Sequence, residues 1–177
     1  MTCIAAVVEK GKVYIGADSA GVAGLDVTIR TDEKVFKNGP AIFGFTSSFR
    51  MGQLLRYSLK IPEQPTSMSD AIFIHTVFLD NIIACLKNGG YAYIENNVER
   101  GGVFLVGYKG KLYKIEGDFQ VSQSAEVFAA CGCGEDFALA VLHTHKNLSP
   151  KKRILKALET AVHFSGGVRP PFRVISL

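Results

Sequence analysis

Three residues in the opening stretch carry side chains that together could do acyl-transfer chemistry. Thr2 offers a hydroxyl, Asp18 a carboxylate and Lys34 an ammonium, at even intervals along the chain. A small residue at position 2 favours removal of Met1. Thr2 would then carry both a nucleophilic hydroxyl and a free α-amine, and a threonine paired with its own N-terminal amine is a recognised way to activate a weak alcohol. Asp18 and Lys34 would supply the charge pair such a site needs. Singly, each residue has a plainer role. Thr is a common second residue, Asp18 suits a turn after a strand, and Lys34 suits an exposed edge strand.

Those side chains need elements to hold them. Cys3 to Val8 and Lys12 to Ala17 read as strands joined by a hairpin turn at Glu9-Lys10-Gly11. Ser19 to Gly24 is small and Gly-rich and reads as a loop. Val27 to Arg30, Lys34 to Lys37 and the apolar run Ala41 to Phe45 read as strands. Met51 to Leu59 reads as a helix and Ile61 to Ser69 as a connector. Asp70 to Lys87 is the clearest helix, with Ile74, Val77, Phe78, Asn81, Ile82 and Cys85 near helical spacing. Ser69 or Asp70 would cap it and Asn88-Gly89-Gly90 would end it. Its apolar face is expected either to face another subunit in part or to pack only within its own domain. Glu95 to Arg100 reads as a polar excursion. A second hairpin, Val103 to Tyr108 with Lys111 to Ile115, turns at Lys109-Gly110. Phe128 to Ala130 is a short strand, Glu135 to His145 and Pro150 to Phe164 are helices, and Phe172 to Ser176 is a last strand. Runs of strands followed by paired helices imply a layered α+β domain, here one domain spanning 1–177.

Composition narrows the function. The 177 residues are 47% hydrophobic and 20% charged, as in an ordinary globule with a substantial core. The net charge of +4 is spread out, so nucleic acid is not an expected partner. The dense basic cluster Lys151-Lys152-Arg153 reads as the solvated start of a helix. No stretch reaches the roughly 18 apolar residues of a membrane span, and no signal peptide is expected. Four Cys without a paired framework suggest a reducing cytoplasm. Without CxxC or H-x₃₋₅-H spacing, neither a metal nor another cofactor is expected. Cys3 reads as a small buried hydrophobe. His75 and His143 read as helix-face residues, and His145 as a helix-end residue whose charged form would suit the macrodipole.

Taken jointly, the trio and the element order resemble the proteasome β-subunit family. That family includes the bacterial HslV-type proteases and belongs to the N-terminal nucleophile hydrolases. Ile15-Gly16-Ala17-Asp18-Ser19 looks like its strand-ending A-D-S, and Lys34-Val35 sits where it places K-V. Gly44-Phe45-Thr46-Ser47-Ser48 matches its pocket-lining loop. Cys131-Gly132-Cys133-Gly134 resembles its G-S-G helix start, and Ser165-Gly166-Gly167 its late S-G-G.

The resemblance implies a four-layer αββα sandwich, two antiparallel sheets flanked by helices. It implies that Thr2 attacks a peptide carbonyl, with its own amine as base, Lys34 as stabilising cation and Asp18 as orienter. The oxyanion donor would be the backbone N–H at Ser48, where the family usually has Gly. Thr46 would sit at the base of the first specificity pocket beside Ser47. A small polar residue there implies no sharp substrate preference. Cys133 and Ser165 would surround the amine. Two positions depart from the pattern, because Cys133 stands for the usual Ser and Val162 for the usual Asp. Neither Glu159 nor His163 matches the missing acid, although either is a candidate to compensate for it. The implied partners are peptide or unfolded protein as substrate, copies of the chain in a homo-oligomeric double ring, and an ATP-dependent unfoldase. The altered shell implies a slow or narrowly specific threonine peptidase. The alternatives are a weak or inactive ring-forming scaffold, or an amidase acting on a non-peptide amide.

Overall fold

The computed structural model describes all 177 residues. The opening strands are β1 (Cys3–Glu9) and β2 (Lys12–Ala17). Lys10 and Gly11 between them both have positive φ, 50° and 72°. That two-residue turn matches the twist of a tight hairpin. A second pair, Lys109 and Gly110 at 46° and 73°, joins β9 (Phe104–Tyr108) to β10 (Lys111–Ile115).

Two stretches differ from the sequence expectation. The supposed loop at Ser19 to Gly24 contains a strand, β3 (Ala20–Ala23), paired antiparallel with β4 (Asp26–Ile29). Its small side chains show no alternation, so the pattern that reveals other strands is missing. The polar excursion is also a hairpin, β7 (Tyr93–Glu95) with β8 (Val98–Arg100). Its turn residues Asn96 and Asn97 both take positive φ, 50° and 63°, a conformation that Asn tolerates.

The remaining strands are β5 (Val35–Asn38), β6 (Ala41–Phe45), β11 (Val121–Ser122), β12 (Phe128–Gly132) and β13 (Arg173–Ser176). They complete two antiparallel sheets, ordered β12-β1-β2-β13 and β11-β10-β9-β6-β5. The sheets meet face to face through residues such as Ile4, Val13, Ile15, Ile42 and Leu105. Gly44 permits this close approach, since a Cβ there would lie 2.6 Å from Ile4 Cγ2 and 2.7 Å from Ile15 Cγ2.

Helices cover both outer faces. On the five-stranded sheet lie α1 (Phe49–Gln53), extended by a π-helical turn Leu54–Ser58, and the run α2 (Asp70–Phe73), π-turn Ile74–Phe78 and α3 (Leu79–Asn88). Ser69 caps this run by accepting from the Ile72 N–H at 3.3 Å. It buries Phe73, Ile74, Phe78, Ile82 and Leu86 against the sheet. Asn81, placed on the apolar face by simple spacing, is instead exposed, because a π-turn adds a residue and rotates the face. On the four-stranded sheet lie α4 (Glu135–Thr144) and α5 (Pro150–Phe164), packed through Leu142, Ile154, Ala157, Leu158 and Ala161. The result is an αββα sandwich.

The basic cluster at the start of α5 is only partly solvated. Lys151 and Lys152 are exposed, but Arg153 is 4% exposed. Its guanidinium donates twice to the Leu142 carbonyl and lies 5.0 Å from the Phe128 ring. Arg153 thus satisfies an orphan carbonyl in the last turn of α4. No helix is long and apolar enough to cross a membrane.

Candidate active site

The two sheets bring Thr2, Asp18 and Lys34 to one point. Thr2 immediately precedes β1. In the β1–β2 register Ile4 faces Ala17, so Asp18 at the end of β2 lies beside Cys3. Lys34 immediately precedes β5, in the facing sheet. All three are buried, at 5%, 1% and 2% exposure. Lys34 Nζ donates to Thr2 Oγ1 at 2.6 Å and to Asp18 Oδ1 at 2.9 Å. Lys34 is therefore no exposed edge charge.

Asp18 is fixed by backbone donors as well. Its Oδ1 accepts from the Cys3 N–H at 3.0 Å, and its Oδ2 from Ala20 at 3.0 Å and Arg169 at 3.3 Å. These donors satisfy the oxygens of the buried carboxylate. Burial pulls the Lys34 pKa below the ordinary lysine value, and the charge and hydrogen bond of Asp18 oppose that pull. The neighbouring Cys3 thiol is driven up to about 12, by burial first and then by Asp18.

On the other side of Thr2 stands the turn from β12 into α4. Gly132 has φ of +100°, and a Cβ there would lie 2.2 Å from the Thr2 carbonyl oxygen. Only glycine lets the chain pass so close. The Thr2 N–H donates to Cys133 Sγ at 3.2 Å, and the Ser165 hydroxyl reaches the same sulfur at 3.3 Å. Cys133 and Ser165 thus flank the Thr2 nitrogen. Ser165 also ends α5, its N–H donating to Ala161 at 2.8 Å. Val162, by contrast, packs among the α4–α5 apolar side chains. Glu159 and His163 are exposed, so neither stands in for the missing acid. The Met1 carbonyl accepts from the Thr2 hydroxyl.

A cleft of about 230 Å³ opens over Thr2, and Thr46, Ser47 and Ser48 line it. Thr46 is 7% exposed and tied to the Val103 carbonyl through its N–H and hydroxyl. The Ser48 N–H, expected to be a free oxyanion donor, is engaged. It donates to the Thr46 carbonyl at 2.7 Å across Ser47, whose φ is +61°. That is a three-residue γ-turn, a strained conformation. The Ser48 hydroxyl caps α1 by accepting from the Arg50 N–H.

Other residues at the site gave no sequence signal. Arg169 sends its backbone N–H to Asp18 and its guanidinium to the Ser165 carbonyl at 3.2 Å. Arg30 lies 3.9 Å from the Phe49 ring on the cleft wall. Both depend on contacts between distant parts of the chain, and no local spacing encodes them.

The sandwich with Thr2 at the mouth of its central strands has the fold of the N-terminal nucleophile hydrolases. Among solved structures, it is similar to the protein BPH of Thiobacillus denitrificans in complex with epoxomicin, with a TM-score of 0.82. Sequence identity is 19%, over 99% of this chain and 98% of that one. It is also similar to the eukaryotic HslV of Trypanosoma brucei, at a TM-score of 0.70 and 17% identity, over 99% of both chains. The sequence matches no protein-family model and no curated protein.

Proposed function

We propose that the chain is a proteasome- and HslV-like subunit acting as a threonine peptidase, with Thr2 as nucleophile once Met1 is removed. The observation that carries this reading is the Lys34 ammonium, held by buried Asp18 and donating to the Thr2 hydroxyl at 2.6 Å. A buried lysine aimed at a threonine hydroxyl has no evident packing use. It does lower the cost of alkoxide character on Oγ1.

The reaction follows from these groups. Loss of Met1 turns the Thr2 amide nitrogen into an amine with a reference pKa of roughly 7.7–8.0, close to poised at neutral pH. Through a water, that amine takes the hydroxyl proton as Oγ1 attacks the peptide carbonyl. Lys34 stabilises the developing oxyanion on Oγ1, and Asp18 keeps Lys34 aimed. The amine then returns the proton to the leaving amine, giving an acyl-enzyme that water hydrolyses. Stabilising the tetrahedral oxygen requires the Ser48 N–H to turn from the Thr46 carbonyl toward the cleft. Cys133 and Ser165 orient the amine. Sulfur is a weaker partner than a hydroxyl, and with Val162 in place of an acid the base is poorly held. This supports a slow enzyme, and it is the observation that favours the second reading, a ring-forming scaffold with little activity. Peptide or unfolded protein is the expected substrate. Double-ring assembly, feeding by an unfoldase and a cytoplasmic setting belong to the same proposal.

Intact-mass analysis after treatment with a peptide epoxyketone tests the nucleophile. The expected product lacks Met1 and carries one adduct on Thr2. Full retention of Met1, or equal labelling of a Thr2→Ala variant, would overturn the mechanism. Sedimentation at micromolar concentration tests the ring. A species no heavier than the 19.2 kDa chain would rule the ring out.

A further inference from the structure

Three charged side chains line the cleft over Thr2, namely Asp26, Arg30 and Lys34. Two of them are matched. Lys34 holds Asp18 at 2.9 Å. Arg30 holds Asp32 through two bonds of 2.7 Å each, and its guanidinium carbon lies 3.9 Å from the centre of the Phe49 ring. Asp26 has no such partner. It opens strand β4, is exposed, and forms no ion pair.

The strand explains why Asp26 faces the cleft. Side chains alternate along β4. Asp26 and Thr28 line the cleft and Arg30 continues their row. Val27 and Ile29, on the opposite face, are 42% and 55% exposed. The cleft wall therefore carries one uncompensated charge, and it is negative. The Thr2 α-amine lies on the cleft floor rather than on this wall, positive when protonated and neutral when it acts as base.

We propose that Asp26 is a specificity-determining residue, selecting substrates whose residue seated against β4 bears a lysine or arginine side chain. This rests on the peptidase reading above and names its substrate class. It sharpens the expectation drawn from Thr46 alone, which implied no sharp preference. The carboxylate is open to water, so its discrimination is modest. An exposed ion pair separates a cation from a neutral isostere by roughly two- to fivefold. A glutamate at the same substrate position is disfavoured, since nothing in the cleft is left to receive it.

The test separates recognition from catalysis. Fluorescently labelled unstructured peptides, carrying lysine, norleucine or glutamate at each position in turn, are titrated into Thr2→Ala protein. At one position lysine should bind about two- to fivefold tighter than norleucine, and glutamate weaker than either. The lysine advantage should shrink as salt rises and collapse toward unity in Thr2→Ala/Asp26→Asn. The same peptides are then followed as substrates of the unsubstituted protein through kcat/KM. Lysine and norleucine binding alike at low salt, or an advantage that survives Asp26→Asn, would refute the assignment. Selective binding without cleavage would sink the peptidase reading and leave Asp26 standing. Cleavage without a lysine preference would sink only Asp26, and absence of peptide binding would sink both.

Discussion

Replacing Lys34 with methionine probes the buried charge pair directly. Methionine keeps much of the length and the unbranched shape and removes the charge. Asp18 would remain 1% exposed, holding backbone N–H groups of Cys3 and Ala20 at 3.0 Å each but no cation. Breaking a buried pair by deleting one partner costs about 3–5 kcal/mol, because the other charge is left uncompensated. That is a large share of a total stability of roughly 5–15 kcal/mol. At about 2–4 °C per kcal/mol for a chain of this size, the melting temperature should fall by roughly 6–20 °C. The double variant Lys34→Met/Asp18→Asn buries no charge at the site. It should be more stable than the two single losses predict, with a coupling energy of about 1–3 kcal/mol. Urea unfolding followed by circular dichroism measures all four corners of the cycle. Peptide hydrolysis should vanish in Lys34→Met and should not return in the double variant. A Lys34→Met protein within about 1 kcal/mol of the parent, or a coupling near zero, would show that the pair is not held as described.

Further outcomes follow from the same geometry. Cys133→Ser replaces the sulfur between Thr2 and Ser165 with a better hydrogen-bonding oxygen. It should raise kcat by about two- to tenfold, the worth of one neutral hydrogen bond, and an unchanged kcat would mean Cys133 does not position the amine. Gly132→Ala would drive a Cβ to 2.2 Å from the Thr2 carbonyl at a φ of +100°. It should cost at least about 2 kcal/mol in urea unfolding and abolish turnover, and a neutral effect would contradict the close approach. The Cys3 thiol, raised from 9.0 to about 12, binds its proton more tightly folded than unfolded. Its contribution is complete below about pH 9 and is lost as pH climbs toward 12, so stability should decline over that window. The decline should be shallower in Cys3→Ala, and an equal slope would refute the linkage. Iodoacetamide should label exposed Cys133 in the native protein well before buried Cys3 and Cys131, and the reverse order would count against the burial.

Much of the frame was legible locally. Lys10-Gly11 and Lys109-Gly110 announce hairpins because each places a glycine, which takes positive φ freely, between two strand-like runs. The helix beginning at Asp70 follows from the Ser69 cap and its apolar period. The identities of Thr2, Asp18 and Lys34 were equally plain, and so were Cys133 and Val162 as departures from the family pattern. These are properties of single residues or of neighbours along the chain, and the backbone expresses them wherever it goes.

Tertiary structure decided the rest. Strand β3 exists because Ala20 to Ala23 finds β4 as a partner, and its own side chains carry no alternation. Arg153 reads as a surface charge until α4 offers the Leu142 carbonyl. Arg169 reaches Asp18 only because β13 and the segment before it fold back beside β2. The occupied Ser48 N–H reflects a γ-turn that residue types do not announce. The unmatched charge of Asp26 can be recognised only when Asp32 has been seen to take Arg30. In each case the deciding interaction joins residues brought together by the folded chain. The sequence alone determined which groups are present, and the packing of the two sheets determined which of them meet.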